Sequence, residues 1–373
     1  MLGRQGVIRF SWFYLPLGLY LAAMAVSTVA SENLRLSVVK LAGEAYLIGL
    51  AVLSFNLIRS ETLMRRTMKA WLAGTVITVL VSVIGVIAFY AGVRNPDVNF
   101  AITGYGSLPP GNYTRVQGLF DNPNVLCNFL SVSLMIALVM RSLGRLKEFW
   151  FRLFIVLLWV SAVFTFSLGL GGMLLSSGLW IWARLRNTER RHQGQMALAG
   201  GFAMALVFIL ATIISPTPAG QRAFFTLPGT HIRIEPSLRV RIWQTALETF
   251  KEHPLLGRGV GLGVAGVAYT SPSGTRHYFT DAHNVWLSIA GQEGVTGLLA
   301  FSSIIFFLMK GLRPLRATGS TQAVIRAGLA IAFIGAFLYQ SLAGSFEDTR
   351  HLWVLIGMLA AAKDGLEEVP NEI

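Results

Sequence analysis

Charge is scarce in this chain. Charged residues occupy 13% of its 373 positions, about half the share found in soluble domains, while apolar residues reach 54% and the mean hydropathy is +0.59. Acidic residues are the scarcer sign, 18 against 31 Lys and Arg. This composition excludes an ordinary water-soluble domain. The formal charge of +13 would suggest nucleic acid in a soluble protein. In a membrane protein it does not, because cytoplasmic loops collect Lys and Arg whatever the function. A single cysteine, Cys127, excludes an internal disulfide and any multi-cysteine metal centre; in its apolar run it reads as an inert buried thiol. No His, Cys and carboxylate set has zinc-site spacing, and no fixed repeat or low-complexity tract is visible. No cofactor or metal is expected.

Long apolar runs are what the chain has instead. A helix needs about 20 apolar residues to cross the hydrocarbon core, and runs near 10–30, 34–58, 70–93, 123–140, 153–168, 170–183, 196–214, 284–308, 327–344 and 351–363 are candidates. They predict an all-α, polytopic transmembrane bundle of about ten spans, up to twelve, forming one integral membrane domain over 1–373. The first run follows Arg4 and Arg9 and exceeds the roughly 7–15 residues of a signal-peptide core, so it reads as an uncleaved span. Four basic clusters, Arg59 to Lys69, Arg141 to Arg152, Arg184 to Arg191 and Lys310 to Arg326, fall in alternate loops. By the positive-inside rule those loops and both termini are cytoplasmic. Loops 94–122, 215–282 and 345–350 then face the opposite, outer side.

The loop 215–282 is long, spanless and basic, with Arg222, Arg233, Arg239, Arg241, Lys251, Arg258 and Arg276. An anionic ligand at the outer face is the simplest cause; a merely solvated basic surface is the alternative. Ser237 after Pro236 can cap a helix. Val240, Trp243, Leu247 and Phe250 share one helical face, which would lie on the bilayer until His253-Pro254 ends the helix. Arg239 and Arg241 then sit in its first turn, where amide donors and arginine forks favour phosphate. His283, where the loop enters a span, can accept a hydroxyl proton in its neutral form, or be an interfacial histidine satisfied by Asp281. Asn284 reads as a cap. Arg276, His277 and Tyr278 form a polar cluster suited to an acceptor, and Glu347 and Asp348 could help place one. His231 and His253 read as structural. Glu293 inside a span is a functional suspect by default, with an arginine partner from a neighbouring helix as the alternative. Lys40 and Glu44, four apart, can satisfy each other.

The run Arg239-Val-Arg-Ile-Trp243 followed by Lys251-Glu-His-Pro254-Leu-Leu-Gly257-Arg-Gly259-Val-Gly261, then Asp281-Ala-His283-Asn284 and Gly291-Gln-Glu-Gly294, resembles the signature of the O-antigen ligase and polymerase family. Arg115 to Asn124 upstream, and Arg350 with Trp353 downstream, extend the resemblance over roughly 100–363. It implies a metal-independent GT-C glycosyltransferase at the periplasmic face. Such an enzyme takes a glycan from undecaprenyl diphosphate and passes it to a hydroxyl of lipid A core, another glycan or a protein. Carried onto this chain, the resemblance makes His283 the essential histidine and Arg239 the diphosphate-binding arginine. Asp281, Asn284, Tyr278, Arg276 and Glu293 are supporting or acceptor-side residues. One departure stands out. The family's Ser-Arg pair reads Ser167-Leu168 here, so either Arg115, Arg241 or Arg258 replaces the missing cation or the activity is altered or lost. Two rivals follow: a flippase for an anionic lipid-linked sugar, and an inactive member of a glycan assembly complex. The flippase would predict related halves and charges near the midplane; no such repeat is visible, and the charges gather at one face in one loop.

Overall fold

The computed structural model describes residues 8–93, 95, 99–103, 106–107, 110–111, 114–217, 225–226, 233–270, 276–310, 319–344 and 349–366. Among them are eleven helices: α1 (Tyr14–Val29), α2 (Leu34–Leu57), α3 (Glu61–Tyr90), α4 (Pro123–Ser142), α5 (Glu148–Phe164), α6 (Gly169–Leu185), α7 (Arg191–Ile213), α8 (Leu238–Glu252), α9 (Val285–Met309), α10 (Thr321–Ala343) and α11 (Arg350–Asp364). Ten of them fall on the ten apolar runs; α8 is the amphipathic helix of the long loop. The protein is a helical membrane protein. Six helices, α2, α3, α4, α7, α9 and α10, are long and apolar enough to cross a bilayer. The other four on apolar runs have 15–17 residues, or about 22–26 Å of rise against a core of about 30 Å.

Helix starts follow local chemistry. Side chains of Asn33, Ser60, Asn122, Asn284 and Ser320 accept from first-turn amides of α2, α3, α4, α9 and α10, satisfying donors the helix leaves orphaned. The centre of the bundle is α4, α10 and α11, where Leu130, Met135, Phe333, Trp353 and Ile356 are buried. Small residues allow close crossings: Gly172 of α6 meets the backbone of Gly335 of α10, and Gly357 of α11 meets Ala51 of α2. In lipid, such packing replaces the hydrophobic drive between helices. Outer faces carry exposed Leu15, Val39, Ile77, Ile84 and Phe202, as a lipid-facing surface requires.

Helix α9 is broken at Gly294, where φ is 67° and ψ −159°. A break in a buried helix strands backbone groups that must find partners. The glycine-rich turn after α8 supplies them. Arg258 N–H donates to Gly291 O (2.9 Å), Gly259 N–H to Gln292 O (3.0 Å), and Val295 N–H to Pro254 O (2.8 Å). Gln292 Oε1 accepts from Gly261 N–H (2.7 Å). A Cβ on Gly257 would lie 2.2 Å from the Gln292 carbonyl carbon. The glycines therefore let the turn seat in the gap, and their first role is to lock α8 and α9 together.

Three expectations need correction. The chain is not purely α, since short antiparallel pairs occur in the loops: 102–103 with 115–116, 106–107 with 110–111, 214–217 and 225–226 with 233–236, and 267–270 with 276–279. Ser237 sits at the N-cap of α8 without capping it; its hydroxyl donates instead to Thr212 O, 2.6 Å away. The buried face of α8 is Ile242 and Ala246, packed on α9, while Leu247 is exposed. Helix packing, not a flat bilayer surface, sets that face.

Candidate active site

Helix polarity gathers one set of ends. The starts of α4, α6, α8, α9 and α11 and the finishes of α5, α7 and α10 lie at the end of the bundle opposite the basic clusters Arg59 to Lys69, Arg141 to Arg152 and Arg184 to Arg191. There a cavity of about 830 Å³ opens, lined by Arg115, Arg239, Arg350, Asp121, Asp281 and His283. Phe120, Phe129, Leu238 and Ile242 add apolar lining.

Arg239 stands in the first turn of α8, and its Nη1 donates to Ala343 O at the end of α10 (3.2 Å). Arg115 comes from the loop strand 115–116 and is buried. Its Nε donates to Thr165 O (2.7 Å) and its Nη2 to Asn124 Oδ1 (2.8 Å). Thr165 belongs to the α5–α6 turn that also carries Leu168. The guanidinium of Arg115 therefore lies against the turn where the family resemblance places an arginine. Leu168 itself clusters with Tyr339, Ala343 and Phe208.

His283 is held on several sides. Trp243 Nε1 of α8 donates to Ala282 O (3.1 Å), Asn284 caps α9, and the ring meets Phe279 edge-on at 5.5 Å between centroids. Its Nδ1 is 3.4 Å from Asp281 Oδ2, whose other oxygen accepts from Ser288 Oγ (3.0 Å). The residue has φ +47°, a left-handed conformation that is uncommon for non-glycine residues and clusters at functional sites. With Nδ1 turned to the carboxylate, Nε2 is the nitrogen left to take a proton. Burial lowers the His283 pKa below its ordinary 6.5; Asp281 pulls it up, and the Arg239 charge pushes it down. The ring is thus neutral at pH 7.

Other sequence candidates lie elsewhere. Arg241 is exposed on α8 and does not line the cavity. Arg258 is turned away, its Nε 2.6 Å from Glu32 Oε2 in the α1–α2 loop and its Nη1 on Gly263 O; His253 Nε2 is 3.4 Å from the same Glu32 carboxylate. Tyr278 is exposed on the 267–279 hairpin, outside the cavity lining. Glu293 is buried beside the α9 break, accepting from Tyr20 Oη (3.2 Å), and shares a second, small cavity with Glu44. Lys40 and Glu44 are 3.6 Å apart, as their spacing suggests. Glu347, Asp348, His231 and the side chains of Arg276 and His277 lie outside the described residues. Arg350, Asn124, Tyr339, Gln340 and His351 line the cavity without having been read as site residues. Only Arg350 and Asn124 carried a signal, inside the motif segments that flank the long loop.

The fold and this cavity define a polytopic membrane protein with a cationic, histidine-bearing chamber at one end. Residues 129–302 match the family model described as O-antigen ligase, which supports the resemblance to the O-antigen ligase and polymerase family over that stretch. The match takes in Arg239 and His283 and stops short of Arg115, Gln340 and α11. No curated protein matches the chain. The family implies glycosyltransferase-type activity on lipid-linked glycans and acceptors in general.

Proposed function

We propose that the protein transfers a glycan from undecaprenyl diphosphate to an acceptor hydroxyl at the periplasmic face of the bacterial inner membrane. The observation that carries this is the single chamber joining three arginines to a histidine held by a carboxylate. In this reading the diphosphate sits among Arg239, Arg115 and Arg350, and the first isoprenes lie on the Phe129, Leu238 and Ile242 side. His283 Nε2 takes the acceptor O–H proton while the oxygen attacks the anomeric carbon. The C–O bond to phosphate breaks with inversion, and undecaprenyl diphosphate leaves with the electron pair. Asp281 fixes the Nδ1–H tautomer and stabilises the imidazolium that forms. Charge accumulates on the departing diphosphate, so arginines already in place act where the transition state needs them. The periplasmic orientation rests on the basic clusters at the other end of the bundle.

The test is the glycan phenotype of a deletion strain. Loss of attached glycan with accumulated lipid-linked chains marks a ligase, and single repeat units in place of long chains mark a polymerase. A wild-type glycan profile and an unchanged lipid-linked pool would overturn the proposal.

A further inference from the structure

Two polar groups on the α10–α11 wall of the cavity, one buried and one half-buried, are not used by the mechanism above. Gln340, near the end of α10, is 1% exposed. Its Oε1 is buried without a hydrogen-bond partner among the described residues, and the side chain lines the chamber. A buried carbonyl oxygen left without a donor is unfavourable, and natively such groups are rare. Gly344 leaves room for it: a Cβ there would lie 2.1 Å from Oε1. The second group is His351, in the first turn of α11. Asn128 of α4 donates its Nδ2 to Ala336 O (2.9 Å), which makes its Oδ1 the acceptor. His351 Nε2, 2.8 Å from that oxygen, must then be the donor, so the ring's Nδ1 remains an acceptor. The ring is braced edge-on by Phe129 at 5.8 Å. Three helices thus fix two acceptors, and among the described residues neither has a protein donor.

Unmatched acceptors in a polar chamber call for a ligand rich in O–H donors. We infer that Gln340 and His351, with Asn128 as a positioning residue, form a sugar-hydroxyl subsite that recognises a glycan unit beside the diphosphate. This rests on the transferase reading. The shared chemistry is a sugar hydroxyl, belonging either to the donor glycan or to the acceptor. Gln340 accepts from one hydroxyl through its carboxamide and His351 from another through Nδ1, and specificity follows because a sugar lacking either hydroxyl leaves that acceptor unpaired.

The test uses full-length purified protein and two probes: the lipid-linked glycan extracted from the deletion strain, and undecaprenyl diphosphate alone. Gln340→Leu and His351→Leu should each weaken binding of the glycan-bearing lipid by roughly 2- to 10-fold, the factor of one hydrogen bond, and leave bare-carrier binding unchanged. Gln340→Met keeps the chain length and guards against misfolding in the first variant. If donor binding is unchanged but the KM for acceptor rises by a similar factor, the subsite holds the acceptor sugar. Equal weakening of both lipids would mean a structural role and overturn the inference. So would wild-type binding and KM values in all variants. A wild-type protein that binds neither lipid would overturn the transferase reading as well.

Discussion

Arg115 offers the sharpest perturbation of the proposed clamp, because it is buried and anchored to the turn that carries Leu168. Arg115 is 3% exposed, and its guanidinium donates to Thr165 O and Asn124 Oδ1 at 2.7 and 2.8 Å. Arg115→Ala removes a charged donor from the diphosphate site, worth about 1.5–3 kcal/mol, or roughly 10- to 150-fold in carrier affinity. Arg115→Lys keeps the charge but loses the planar fork, so recovery should be partial. Leu168→Arg probes the same idea from the other side. It would drive a cation into the cluster of Tyr339, Ala343 and Phe208, and activity should stay level or fall. The assay is equilibrium binding of undecaprenyl diphosphate to purified variants that elute as monodisperse protein, paired with transfer rates on the native lipid-linked glycan. Wild-type carrier binding by Arg115→Ala, together with raised transfer by Leu168→Arg, would refute the substitution of one arginine for the other.

Further outcomes follow from the same geometry. Topology reporters fused near Ala265 should read periplasm and those near Thr188 cytoplasm; cytoplasmic signal at 265 would put the chamber on the wrong side. Transfer by purified protein should survive EDTA, since the arginines neutralise the leaving group; a loss restored by Mg²⁺ would contradict that. The pH profile should be flat through neutrality and fall only below pH 6.5, because burial lowers the His283 pKa and the neutral ring is the base. Arg239→Ala removes a lowering charge and should move the acid limb to higher pH, whereas Asp281→Asn removes a raising one and should move it lower. Shifts in the opposite directions would mean that the titrating group is not His283.

The helices were legible because crossing lipid demands unbroken apolar runs, and nothing else in the chain mimics them. The loop pairs such as 102–103 with 115–116 were not, since two residues per strand leave no alternation to read. On α8 the helix and its end at His253 were readable from spacing and Pro254. The buried face was not, because it is chosen by α9. Arg239, Asp281 and His283 stood out through charge and position, and they do meet in one chamber. Arg258 shows the limit of that reasoning. Its neighbours in sequence suggested an anion site, yet its partner Glu32 lies 226 positions away, and its own backbone serves the break in α9. Gln340 and His351 were invisible for a related reason: each looks like an ordinary polar residue until α4, α10 and α11 bring them to one wall.

The central claim is that His283 is the base, and single-turnover transfer by His283→Ala measures it directly. With native lipid-linked glycan and acceptor, the variant should bind the carrier as wild type does and lose about 10²–10⁴ in rate. Full transfer by well-folded His283→Ala would contradict the account.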